Sequence, residues 1–180
     1  MIITQISKAD IKPDYWNGGK TFQYFISPIR AQYSDKDFDF RISSATIEKE
    51  PSVFTRFDGY QRFLLMLDND LEIQRNGIIE TYQKHEILKF DSSDDVESYS
   101  LGMDFNLMIK KEIENVSLKI SKGQEAFNAS ILCVFTLFPT FLKINDQVFT
   151  LGISDCIIVN NMKKEKVNFQ NDRLAIIGMW

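Results

Sequence analysis

Apolar and polar side chains alternate with a period of two along most of this chain, and the alternating runs are separated by Asn-Gly, Asp-Gly and acidic or amide-rich turns. That period places successive side chains on opposite faces of an extended strand. In residues 38–47 it puts Phe38, Phe40, Ile42, Ser44 and Thr46 on one face and Asp39, Arg41, Ser43, Ala45 and Ile47 on the other. Residues 63–67, 132–135 and 156–159 read as apolar strands. Helix is confined to residues 121–129, where Gln124, Glu125, Ala126 and Phe127 could make a turn or two. The pattern predicts an all-β protein.

A faint repeat divides the chain. Leu71-Glu72-Ile73-Gln74-Arg75-Asn76-Gly77 reads like Leu142-Lys143-Ile144-Asn145-Asp146-Gln147, 71 residues later, and the apolar strands that follow, 86–90 and 155–159, lie 69 residues apart. Each half then closes on a further apolar strand, 105–109 and 174–177. Short strands with tight turns close sheets and remove exposed edges, so the repeat predicts two related β-barrel or sandwich units. The break falls near 121, giving approximate halves 1–120 and 121–180 within one fused unit, 1–180.

Near the N-terminus stands Tyr15-Trp16-Asn17-Gly18-Gly19-Lys20-Thr21, a glycine-flexed turn carrying an aromatic ring and a cation. Adjacent glycines permit positive φ and Asn tolerates the left-handed region, so such a turn could hold a small anion or could equally be a hairpin with Trp16 tucked into the core. Downstream come Phe38-Asp39-Phe40-Arg41-Ile42-Ser43, then Ser52-Val53-Phe54-Thr55-Arg56-Phe57-Asp58-Gly59-Tyr60-Gln61-Arg62, then Asp104-Phe105-Asn106-Leu107-Met108. In that order these segments resemble the motif set of the HutD/Ves family of cupin-like proteins: W-[KR]-N-G-G, F-x-W-R-[IV]-S, F-S-x-F-x-G-x-x-R and D-x-N-x-M. The match spans residues 15 to 108, about half the chain. It departs from the pattern in lacking a basic residue between Trp16 and Asn17, and in carrying Lys20 for glycine, Gln23 for glutamate and Phe40 for tryptophan. The resemblance implies a bicupin, two fused barrel or jelly-roll halves whose terminal strands can exchange. It also implies a polar site built on Trp16, Asn17, Gly18, Gly19, Lys20, Arg41, Arg62 and Asn106.

Composition narrows the function classes. A net charge of -4 and a pI near 5.1 argue against a nucleic-acid surface, which needs clustered cations. The one basic cluster, at Lys163, Lys164 and Lys166, is short and interrupted by Glu165, and reads as a solvated loop. No apolar run approaches the roughly 20 residues that span a bilayer, and no leader pattern opens the sequence, so a cytoplasmic protein with no membrane partner is expected. Cys133 and Cys156 sit in apolar strands and read as reduced, buried thiols. A cupin metal centre gathers several imidazoles on one ion, whereas this chain has a single histidine, His85, in a polar turn expected to face solvent. No metal or other cofactor is therefore expected. The serine elbow, P-loop and dinucleotide glycine patterns are absent.

What remains is a site of cations, amides and aromatics. A guanidinium binds a planar carboxylate through two parallel hydrogen bonds, and Asn17 and Asn106 offer both donor and acceptor to a formyl, amide or imidazole group. Structural readings stand beside these: Arg41 could pair with Asp39, Arg62 with Asp58, Asn106 could satisfy a buried backbone group, and Ser43 could be strand filler. The family resemblance implies a metal-independent protein that binds a small carboxylate such as urocanate, N-formylglutamate or formate and regulates histidine utilisation or, in the Ves branch, a stress response. Two other readings stay open: a cofactor-independent isomerase or hydrolase using an Asp or Glu as base, and a dimerising interaction module.

Overall fold

The computed structural model describes all 180 residues, and the alternation becomes seventeen strands with two short 3-10 turns. In chain order these are β1 (Ile2–Ile6), β2 (Asp14–Trp16), β3 (Gly19–Ser27), β4 (Phe40–Ile47), β5 (Ser52–Val53), β6 (Tyr60–Met66), β7 (Leu71–Arg75), β8 (Ile78–Tyr82) and β9 (Leu88–Asp91). They continue with β10 (Val96–Ser98), β11 (Gly102–Lys110), β12 (Ser117–Phe127), β13 (Ile131–Thr136), β14 (Thr140–Ile144), β15 (Gln147–Leu151), β16 (Cys156–Asn160) and β17 (Val167–Met179). They sort into two units. One is Ile11–Ile113, and the other joins Met1–Asp10 to Glu114–Trp180, so the division falls before residue 120 and β1 belongs with the C-terminal strands.

In the N-terminal unit a six-stranded sheet, β2-β3-β4-β11-β6-β9, faces a four-stranded sheet, β5-β10-β7-β8. Alternation fills the space between them: Ile47, Leu64, Met66, Leu88 and Phe90 from the first sheet meet Leu71, Ile73 and Val96 from the second. At one end an aromatic cluster of Phe38, Phe57 and Tyr60 packs with Ile26 and Met108. The Tyr60 hydroxyl locks it by donating to the Phe38 carbonyl at 2.6 Å and accepting from the Phe38 N–H at 3.0 Å.

The C-terminal unit repeats the central ladder. β4-β11-β6-β9 has its counterpart in β12-β17-β13-β16, with β1 paired on β16 as an edge strand. The two hairpins that the internal repeat picked out, β7-β8 and β14-β15, both turn on an asparagine in the left-handed region, Asn76 and Asn145, each at φ 50. Asparagine tolerates that conformation, which the tight hairpin turn requires.

Residues 121–129 are not helical. β12 takes them up as far as Phe127, paired along β17 with a register shift between Ser121 and Gly123. A two-turn helix is marginal alone, whereas the extended segment gains a long ladder against the longest strand of the molecule. Cys133 and Cys156 are buried free thiols with Sγ atoms 3.7 Å apart, and burial pushes the Cys156 thiol well above its ordinary range. No helix is long and apolar enough to cross a membrane.

Candidate functional site

Three strands build the site. β11 lies between β4 and β6, and Met108 is paired with Arg41 on one side and with Arg62 on the other. Paired residues share a face, so both guanidiniums enter the same interior. Two and four residues back along β11, Asn106 pairs with Ser43 and Leu64, and Asp104 with Ala45 and Met66. The result is a cavity of about 290 Å³ within the N-terminal unit, into which Arg41, Arg62, Asp104 and Asn106 project, with Tyr33 and Trp16 as aromatic walls. That is room for a small metabolite.

Each arginine is held in place by the protein without being neutralised. Arg41 donates from Nε to Gln23 Oε1 at 2.7 Å and from Nη1 to Ser43 Oγ at 3.3 Å, and its guanidinium lies 4.2 Å from the Tyr33 ring centroid. A bulge in β3 between Gln23 and Phe25 turns both Gln23 and Ile26 toward the β4 residues on the inner face. Arg62 donates from Nη2 to the Thr55 carbonyl at 2.9 Å and to Ser92 Oγ at 3.1 Å, between the rings of Phe54 and Phe90, each 5.6 Å away. Arg62 Nε has no acceptor within the protein. No carboxylate lies within ion-pair distance of either. Burial lowers both arginine pKa values, with Tyr33 and Asp104 working against it and the neighbouring Arg41 adding to it at Arg62.

The structural pairings open at the sequence level do not form. Asp39 lies beside Lys110 at 3.5 Å, Asp58 is exposed, and Asn106 Oδ1 is buried with no hydrogen bond at all. Ser43 is an arginine ligand and no mere filler. His85 is half-buried, with Nε2 3.2 Å from the Leu67 carbonyl, because the chain turns there at φ 68 and folds the ring inward.

The glycine motif acts one step removed. Trp16, Arg41, Arg62 and Asn106 line the cavity, whereas Asn17, Gly18, Gly19 and Lys20 do not. Trp16 pairs with Gly19 across a turn formed by Asn17 and Gly18, and its half-exposed ring lies directly over Gly18. A Cβ on Gly18 would stand 2.0 Å from that ring, and one on Gly19 would stand 1.8 Å from the Thr46 carbonyl oxygen. The two glycines let the hairpin close on β4 and hold Trp16 at the cavity mouth.

Asp104 is the principal residue missed by the sequence reading. It is 4% exposed, and its one hydrogen bond is accepted by Oδ1 from the Ala45 N–H at 2.9 Å. Burial pushes its pKa up to about 7, against the pull of that N–H and of Arg62 and Arg41. A signal existed, since period two puts Asp104 on the face of Asn106. Tyr33 comes from a loop and had none. Two larger depressions, about 600 Å³ beside Lys143 and Lys166 and about 500 Å³ beside Lys89 and Lys111, are open surface grooves whose lysines are exposed. They hold no buried charge.

The C-terminal unit carries no such site. Where the N-terminal ladder has Arg62, Leu64, Asp104 and Asn106, the matching places hold Leu132, Val134, Ala175 and Ile177, all four in that unit's hydrophobic core. Nowhere in the chain do three His, Cys, Asp or Glu side chains gather as a metal site would require.

Duplicated antiparallel units, one carrying buried charges in a cavity and the other apolar side chains at the matching places, define a cupin-like protein of the two-barrel kind. Within that class the HutD family model matches residues 8–176, and the chain belongs to the HutD family. No curated protein sequence matches it. Among solved structures it is similar to HutD from Pseudomonas fluorescens SBW25, determined in a formate condition, at 22% identity and TM-score 0.80 over 98% of this chain and 97% of that one. A conserved protein of unknown function from Pseudomonas aeruginosa PAO1 superposes at TM-score 0.84 with 18% identity, covering 99% and 97%. The nickel(II) complex of the bacterial pirin YhhW from Escherichia coli superposes at TM-score 0.68 with 10% identity, covering 99% and 98%.

Proposed function

We propose that this chain is a cytoplasmic small-carboxylate binding protein that regulates histidine utilisation, acting without a metal. One observation carries the reading: two buried guanidiniums, neither ion-paired, share one cavity, and Arg62 Nε has no acceptor of its own. A buried donor left unmatched costs about 1–3 kcal/mol, and a ligand carboxylate supplies the acceptor with a charge-assisted bond worth about 1.5–3 kcal/mol. Asn106 adds an amide for a formyl, amide or imidazole group, and Trp16 and Tyr33 flank a flat molecule. Membership of HutD, and the formate condition under which the Pseudomonas fluorescens protein was determined, support urocanate, N-formylglutamate and formate as the compounds to try.

Isothermal titration with these three compounds and histidine tests the reading, with Arg41→Ala and Arg62→Ala as controls and circular dichroism to verify that both fold. Each substitution removes one charge-assisted contact and is expected to weaken binding about 10- to 100-fold. Absence of binding by all four compounds would sink the proposal.

Asp104 favours a second reading, a cofactor-independent enzyme. A carboxyl that titrates near neutrality beside two guanidiniums is equipped to exchange a proton with a bound substrate while the arginines hold developing negative charge. Chromatography of the titrated mixtures separates the two: a product formed by the native chain and lost in Asp104→Asn establishes turnover, and unchanged ligand leaves binding alone.

A further inference from the structure

We propose that the cavity takes up its carboxylate together with one proton, which settles on Asp104, so that the site binds an acid and tightens as the pH falls through neutrality. This deepens the carboxylate-binding reading and rests on it.

The geometry makes Asp104 a poor home for a charge. Its side chain is buried on the inner face of β11, and it accepts a single hydrogen bond, from the Ala45 N–H to Oδ1. Neither guanidinium reaches it: the hydrogen bonds of Arg41 go to Gln23 and Ser43, and those of Arg62 to Thr55 and Ser92. The ionised form is held first by the Ala45 N–H and then by the field of Arg62 and Arg41 across the cavity, and a carboxylate seated on the arginines cancels that field. It also places a second negative charge in the same small space as Asp104. Two carboxylates in one desolvated site do not both ionise readily, and the more buried one takes the proton.

The other charged groups around the site leave that balance in place. Arg41 comes from β4 and Arg62 from β6, both favouring ionisation, while Asp68, just beyond β6, opposes it. Tyr33 from the loop before β4 and Asp14 from β2 act on Arg41. No histidine or lysine lines the cavity to compete for the proton. The placement of Asp104 near neutral pH, caused by burial, puts the switch in the physiological range.

Titration calorimetry tests this with formate and N-formylglutamate, neither of which titrates between about pH 5.5 and pH 8.5. The full chain is titrated across that range in pairs of buffers with different ionisation enthalpies. Above about pH 7 each bound formate or N-formylglutamate is expected to draw about one proton from the buffer, with affinity falling about tenfold per pH unit. Asp104→Asn, which keeps an oxygen for the Ala45 N–H, is expected to bind with the same affinity at every pH and to take up no proton. Binding by the native chain with no proton uptake and no pH dependence would overturn the inference and leave the carboxylate reading standing. No binding of either compound at any pH would overturn the inference, and if urocanate and histidine also fail to bind, the carboxylate reading falls with it. The proton count on the native chain decides the matter even where the variant does not fold.

Discussion

At the scale of single residues, adjacent glycines do different work. Gly18 is crowded only by the ring of Trp16, a half-exposed side chain that can swing away. Gly19, at φ 153, is crowded by the Thr46 carbonyl, which the β3-β4 ladder fixes. Gly18→Ala is therefore expected to cost under about 1 kcal/mol of stability while displacing Trp16, visible as a shift in tryptophan emission and a loss of carboxylate affinity. Gly19→Ala has no side chain to move and is expected to cost about 3 kcal/mol in urea unfolding. Equal stability losses in the two variants would show that the turn does not act by positioning Trp16. Gln23 belongs to the same scale. An amide there orients Arg41 without cancelling its charge.

At the scale of elements, β1 is an edge strand laddered on β16, and one carboxylate ties down the chain just past its end. Asp155 accepts from Ser7 Oγ and the Lys8 N–H through Oδ1, both at 3.0 Å, and from the Gly152 N–H through Oδ2 at 2.7 Å. The strand itself buries little, with Ile2 67% exposed. Asp155→Ala leaves three donors unmatched and is expected to free the strand, raising amide exchange across residues 2–6 by about 100-fold. Hydrogen-exchange mass spectrometry reads this directly, and unchanged protection would place the anchoring in the β1-β16 ladder instead.

At the scale of the whole molecule, the buried carboxyl of Asp104 links stability to pH. Its folded pKa of about 7 stands above the unfolded value of about 3.9, so the protonated form favours the fold. That contribution is full below about pH 4 and is lost as the pH rises through about 7. A gap of this size corresponds to about 4 kcal/mol. Asp104→Asn, which cannot ionise, is expected to lose that fall between acid and neutral pH, so that denaturant midpoints of native and variant diverge as pH rises. Parallel midpoints across the range would show that Asp104 does not titrate in the fold. The prediction is independent of any ligand.

Much of the fold was legible in the order of residues because strand alternation is a local property. The period at residues 38–47 assigned Arg41 and Ser43 to one face, the Asn76 and Asn145 turns marked two equivalent hairpins, and the apolar runs marked the strands that fill each core. Residues 121–129 misled because a weak local preference for helix meets no local opposition there; the opposition comes from β17, some fifty residues away. The site was legible only in part. Arg41, Arg62 and Asn106 could be named one by one, but that the first two share a cavity depends on β11 inserting between β4 and β6 with Met108 opposite both. Tyr33 reaches the site from a loop, and Asp104 owes its proton affinity to burial. Local sequence thus determined which side chains share a strand face, whereas long-range register and desolvation, which exist only once the sheets close, decided which of them meet and what charge they carry.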